Sequence, residues 1–302
     1  MKLFLFPITE HDLKCFTEIF PVVPLLSEEQ YKIVLNHANT WNEGLFTKLR
    51  LTDTRRVYVQ TVEECDIAII PFKYDRNDSR IEEYCNIANT HNKRVIGFYN
   101  DDSGESFTLP KNLYLYRTSL NQFTKHINER VFPVIVPDHF PSYKTLLDLP
   151  SNKTITFCGH VGNGRLPIIQ KVENVYKDTN FVYRSGFWAP ELQSKQLARI
   201  SFYENLLSGS FTLCMRGNGN FSYRFYEALS FGRIPILFNT ECVLPFNKQI
   251  DWSTHIICIN EGEIQNLPDL ITQCKISPKN NRSLWMTYFS SEGYFNTFIG
   301  DL

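Results

Sequence analysis

Apolar residues in this chain follow two alternating patterns. Residues 2–6, 67–72, 94–99 and 113–116 read as short strands, and the unbroken apolar run 67–72, ended by Pro71 and charged residues, has the mark of a parallel strand buried on both faces. Between them, residues 28–35 place Tyr31, Val34 and Leu35 at helical spacing, and residues 80–91 carry a stripe of Ile81, Tyr84, Cys85 and Ala88. The second half repeats the alternation. Strands are predicted at 154–158, 180–184, 211–215, 234–238 and 255–259, with helices starting near residue 165 and covering 193–207 and 222–231. Residues 283–298 contain no proline and read as one aromatic-rich helical tail. Strands separated by helices predict parallel crossovers, hence an α/β fold. Pro133, Pro137, Pro141 and Pro150 punctuate the segment 131–150 and bar a long helix there. The boundary is placed in it: a first Rossmann-like domain over 1–138, a second over 139–281, and a tail over 282–302 packing back on the first.

Composition narrows the class. The 302 residues suit two domains of about 150 each. The formal net charge of -1 leaves no basic excess, so a dedicated nucleic-acid or anionic-membrane binder is not expected. Eight cysteines include no Cys-x-x-Cys pair and several lie in apolar runs, which fits buried thiols in a reducing compartment rather than a disulfide framework or zinc site. The apolar N-terminal stretch is interrupted at once by Glu10, His11 and Asp12, and no run approaches the roughly 20 residues that span a bilayer. The expected location is cytoplasmic and unanchored.

Two strand-to-helix junctions in the second half have the form of phosphate-binding turns. In the first, residues 154–158 lead into Gly159-His160-Val161-Gly162-Asn163-Gly164-Arg165. Glycines let backbone amides approach an anion, the next helix offers its positive end, and Arg165 stands at that helix start. The same residues also fit an ordinary tight turn. The second junction is more specific. Strand 211–215 ends in Arg216, followed by Gly217-Asn218-Gly219, a helix capped near Ser222, and Arg224 and Glu227 one turn apart. A dinucleotide fingerprint is not met, because Ser222 replaces its third glycine and no acidic residue ends a neighbouring strand. A carboxylate one and a half turns into such a helix is placed to accept both hydroxyls of a ribose whose diphosphate lies at the helix N-terminus.

Arg216-Gly217, Ser222, Arg224, Glu227-Ala228-Leu229 and Gly232-Arg233-Ile234-Pro235 together resemble the signature of the exostosin family of glycosyltransferases (family 47). Pro245-Phe246, Trp252, Phe157-x-Gly159 with Arg165, and the run 65–72 extend the resemblance over most of the chain. It is nearest to the small anchorless members of large algal viruses and bacteria, among them a xylosyltransferase-like kind. The resemblance implies a GT-B fold: two Rossmann-like domains facing a cleft, the second holding a UDP-sugar with no obligatory metal. It implies inverting transfer to a hydroxyl of an oligosaccharide or glycan, with UDP-xylose as the first donor to try. In this reading Arg165, Arg184, Arg216, Gly217, Ser222 and Arg224 hold the diphosphate end and Glu227 the ribose. The acceptor's proton needs a base from a loop of the first domain. Asp75 ranks first, followed by Asp12 or the neighbouring His11, Asp102 and Asp138. Three alternatives stay open: a GDP-fucose-dependent GT-B enzyme, a non-catalytic nucleotide- or carbohydrate-binding module, and a GT-A enzyme using Asp101-Asp102 for metal. The aromatic residues Phe187, Trp188 and 140–143 are candidates for stacking on sugar rings.

Overall fold

The computed structural model describes residues 1–14, 20–37, 58–141, 152–186, 192 and 194–301. The chain divides into two compact units. The first comprises Met1–Pro137, Glu241–Pro245 and Thr287–Leu302, and the second Asp138–Thr240 and Phe246–Met286. Each holds one five-stranded sheet, parallel throughout its described strands. These are the two α/β units expected of a GT-B fold.

In the first unit the strands are β1 (Leu3–Leu5), β2 (Ile67–Lys73), β3 (Arg94–Tyr99), β4 (Leu113–Arg117) and β5 (Glu129–Val131), lying side by side in that order. Helices α1 (Glu10–Lys14), α2 (Glu28–His37) and α3 (Ser79–Thr90) accompany them. The stripe Ile81, Tyr84, Cys85 and Ala88 of α3 is buried against Ala68, Ile70 and Val95 in one core. Asp78 starts α3 by accepting from the Arg80 amide.

Strand β5 was not legible in the sequence, being three residues long with Glu129 and Arg130 in place of an apolar run. Its anchor is electrostatic. Arg117 of β4 and Glu129 form an ion pair of 2.6 Å with side chains only 2% and 1% exposed. Arg117 also donates to the carbonyls of Glu105 and Ser103 and lies over the Tyr99 and Phe107 rings. Such a pair is held by its added hydrogen bonds, since bare burial of two charges roughly cancels their attraction.

The second unit contains β6 (Ile155–His160), β7 (Thr179–Arg184), β8 (Phe211–Cys214), β9 (Ile234–Phe238) and β10 (Ile257–Ile259). Its helices are α4 (Arg165–Val175), α5 (Lys195–Leu207), α6 (Tyr223–Ser230), α7 (Leu267–Gln273) and α8 (Pro278–Tyr288). The strand order is β10-β9-β8-β6-β7. From β6 the chain moves outward to β7, then returns to place β8 on the other flank of β6. This reversal is a topological switch point, and in open parallel sheets the crevice beyond the carboxyl ends at that point is where ligands bind. Helix α6 ends at Gly232, whose φ of +65° favours glycine, and the Arg233 amide closes the turn on the Ala228 carbonyl.

The expected single tail is two helices. Ser290 interrupts it: its hydroxyl accepts from the Gly293 amide and so starts α9 (Ser291–Asp301) afresh. Tyr294 and Phe298 of α9 pack on Phe132, Phe98 and Tyr116 of the first unit, with ring centroids 5.2–5.9 Å apart. Arg282 to Met286 of α8 belong to the second unit, where Arg282 pairs with Asp138 at 2.8 Å and donates to the Ser230 carbonyl. Cys65, Cys85, Cys158 and Cys214 are buried free thiols, and Cys15 lies outside the described residues. Among the described residues, no helix is long and apolar enough to cross a membrane.

Candidate functional site

Both glycine-bearing turns emerge at the switch point, one from β6 and one from β8. A hydrogen-bonded clamp holds them together. The Arg165 guanidinium donates through Nε and Nη2 to the Arg216 carbonyl (2.9 and 2.7 Å) and through Nη1 to the His160 carbonyl (2.9 Å). Asn163 adds a second tie, its Nδ2 donating to Asn218 Oδ1 at 2.7 Å. Arg165, expected to grip a diphosphate directly, thus spends its planar fork on fixing the relative position of the two turns.

Arg224 reaches from α6 across to β6. Its Nη2 donates to the Cys158 carbonyl at 2.6 Å, and its guanidinium lies 4.5 Å over the Phe157 ring. Its Nε is buried without a hydrogen-bond partner. The route exists because residue 159 has no side chain: a β-carbon there would collide with Arg224 Nη2. The surface ion pair with Glu227 that their spacing also allows does not form. Burial holds the Arg165 pKa below its ordinary value, and the Arg224 charge adds to the effect.

Ser222 occupies the N-cap of α6 as expected, but its hydroxyl makes no bond to the first-turn amides. Gly217 donates its amide to the Phe221 carbonyl at 3.1 Å, shaping the turn, and Arg216 is exposed with Nη2 on the Asn218 carbonyl. Arg184, at the end of edge strand β7, is buried and donates to Ser201 Oγ of α5 at 2.7 Å. That contact gives it a structural task beside its proposed one.

Glu227 accepts no hydrogen bond from the described residues. Burial pushes its pKa from 4.5 up to about 7, partly offset by the positive charges of Arg224 and Arg199. Arg199 is a site residue that sequence reasoning missed. The signal was present: within α5 it shares a face with Tyr203 and Leu206, a cation on an otherwise buried stripe. Burial lowers its pKa too. Two positive charges, those of Arg224 and Arg199, thus act on the Glu227 carboxylate. A guanidinium and a carboxylate so placed have the chemistry to meet an anion that also carries hydroxyl groups.

The candidate bases have different surroundings. Asp75 follows β2, is exposed, and accepts on Oδ1 from the amide and side chain of Asn77. Asp12 is buried in a bidentate pair with Arg80 (2.9 and 3.2 Å) and accepts from Thr9 as well. Burial opposes its ionisation, yet Arg80 and Thr9 outweigh that and hold its pKa below the usual carboxylate range. A carboxylate so held is a weak proton acceptor. Asp138 is committed to Arg282, and Asp101 to Lys73 at 2.6 Å and the Ser103 amide, while Asp102 and His11 are exposed. Phe187, Trp188 and Tyr143 lie outside the described residues.

A family model for the Exostosin GT47 domain matches residues 100–274. Exostosin-1 of Drosophila melanogaster is 37% identical over 95 residues, which cover 30% of this chain and 12% of that protein. Probable glucuronosyltransferase GUT1 of Oryza sativa subsp. japonica is 32% identical over 72 residues, 24% of this chain and 17% of that protein. The matched stretch thus spans less than a fifth of either relative's length. Among solved structures, Anabaena HepE in complex with UDP-glucose is similar with a TM-score of 0.42 and 10% identity, covering 99% of each chain. With the GT47 domain matched over more than half of its length, including both turns at the switch point, the chain belongs to the exostosin family of glycosyltransferases.

Proposed function

We propose that the protein transfers a sugar from a UDP-sugar to a hydroxyl of a glycan, with inversion at the anomeric carbon. The observation that carries this reading is the pairing, at one switch point, of an arginine-lined double turn with the unpaired carboxylate of Glu227. The diphosphate lies against Arg216, Arg224 and the first-turn amides of α6, which Ser222 leaves uncapped. As the sugar–phosphate bond breaks, these donors take up the charge growing on the leaving diphosphate. Glu227, in its ionised form, accepts the two ribose hydroxyls. Asp75 takes the acceptor's proton; its Oδ2 is without a hydrogen bond among the described residues, and it follows a strand end in the first unit. UDP-xylose is the first donor to test, on the resemblance to small xylosyltransferase-like family members. A cytoplasmic setting is part of the same proposal.

Thermal-shift titration of the full chain with UDP, GDP and their sugars tests the donor site. UDP at a hundred times its Kd should add about 2.7 kcal/mol of stability, and Glu227→Ala should abolish most of the shift. A response to GDP alone moves the assignment to a GDP-sugar enzyme. No response to any nucleotide overturns the donor-site reading.

A further inference from the structure

The crossover between β4 and β5 carries the two most exposed large apolar side chains described, Phe123 at 73% and Ile127 at 80%. Their backbone is fixed. The Phe123 amide is bonded to Asn121 Oδ1, Asn121 bridges to Cys242, and Arg130 Nη1 donates to the Ile127 carbonyl at 2.6 Å. Exposed apolar side chains held outward by a bonded backbone call for a partner surface.

Charge within the crossover is one-sided. Residues 106–128 contain no aspartate or glutamate. Lys125 and His126 are exposed within the loop, and Asn128 ties it to the Lys111 carbonyl. Arg130 and Arg94 both lie over the Tyr114 ring, at 5.4 and 5.9 Å. Among the described residues, the acids that touch the crossover are Glu129, neutralised inside by Arg117, Asp101, paired with Lys73, and a single exposed one, Glu241, whose carbonyl accepts from the Gln122 amide. The net charge of -1 hides this segregation.

We propose that this loop docks the protein peripherally on an anionic lipid surface. Phe123 and Ile127 enter the interfacial region while Lys111, Lys125, Arg94 and Arg130 meet the negative headgroups. Apolar insertion and basic attraction reinforce one another, each basic residue at such a surface adding about fivefold to the partition. A bilayer fits better than an acidic peptide. The backbone beside the apolar pair is already bonded to Glu241 and Cys242, so it presents no free strand edge for a peptide to extend. All these residues belong to the first unit, so the inference stands apart from the donor site.

Co-sedimentation of the full chain with phosphatidylcholine vesicles, with and without phosphatidylserine, tests it. Binding should require phosphatidylserine and weaken with salt. F123S/I127S should lower the bound fraction about tenfold or more, and K111E/K125E similarly, at unchanged melting temperature. Ile87→Ser, removing an exposed apolar side chain elsewhere, should leave binding as it was. In F123W the tryptophan emission should shift to the blue on vesicle addition. Absence of binding to anionic vesicles, or equal binding by F123S/I127S, overturns the proposal. So does binding to soluble polyglutamate that is lost in F123S/I127S while vesicles are ignored, which points to an acidic protein partner instead.

Discussion

Arg224 reaches the Cys158 carbonyl only because Gly159 lacks a side chain: a β-carbon at 159 would occupy the position of the guanidinium. Gly159 and Arg224 are therefore one functional unit. Gly159→Ala needs no change of backbone conformation, yet it displaces Arg224 from Phe157 and from the turn. It should weaken UDP binding about tenfold or more, close to the effect of Arg224→Ala, because each removes the same charge-assisted contact. The double variant should be no worse than either single one. Isothermal titration of the three proteins with UDP measures this, and additive losses would separate the two residues.

Glu227 makes folding and binding respond to pH in opposite directions. Its pKa rises from 4.5 to about 7 on folding, so the folded state holds the proton more tightly. The stability associated with this group is full below pH 4.5, declines as pH rises to about 7, and is level above that. Glu227→Gln has no such decline. At pH 8 the apo variant should be more stable than the parent by about 1–3 kcal/mol, with the difference vanishing near pH 4.5. UDP affinity of the parent should increase through pH 7 as the carboxylate ionises, and the variant should bind weakly at every pH. Melting curves and titrations from pH 4.5 to 8.5 check both trends.

Arg165 serves as the fastener of the two turns. Arg165→Ala removes three donor contacts to the carbonyls of Arg216 and His160 and should cost about 1–3 kcal/mol of stability. Arg165→Lys should rescue little, since one ammonium cannot reproduce a fork. Amide hydrogen exchange should quicken in both turns while β9 and β10 keep their protection. Faster exchange confined to residues 159–165 would show the clamp acting on one turn only.

Asp75 and Asp12 separate by what their loss affects. Asp75→Asn should lower kcat about a hundredfold or more while leaving UDP affinity and melting temperature unchanged, as expected of a base in a proton transfer. Asp12→Asn should lower the melting temperature instead, because it breaks the pair with Arg80. The low pKa of Asp12 means that its stabilising contribution is present above the ordinary aspartate pKa and is lost as pH falls through the folded value. A variant at 12 that folds normally and loses turnover would reverse this assignment.

The sheets were largely legible because parallel strands buried on both faces leave unbroken apolar runs, as at 67–72 and 234–238. The two turns at the switch point were legible for a related reason. Turns that approach a phosphate need glycines at fixed offsets, and the 216–235 stretch displays them in one continuous segment. What was not legible depends on contacts between distant residues. Strand β5 rests on Arg117 and Glu129, which no local pattern connects. Arg199 joins Glu227 only when α5 and α6 pack in one unit. The clamp made by Arg165 was hidden too, because the Arg216 and His160 carbonyls meet its guanidinium only in the folded unit. The basic residues beside Phe123 and Ile127 were invisible to a whole-chain charge count, since a sum over 302 residues erases a local imbalance.

The division of the chain has a consequence for how the protein is born. The polypeptide passes between its units four times, and the first unit takes its last segment from Thr287–Leu302. Phe98, Tyr116 and Phe132 are synthesised early, but the rings that cover them, Tyr294 and Phe298, emerge more than 150 residues later. At typical ribosome speeds that gap is roughly ten to thirty seconds. Throughout it, an aromatic surface of the nascent first unit stays uncovered, open to chaperones or to another nascent chain. The unit that begins first finishes last.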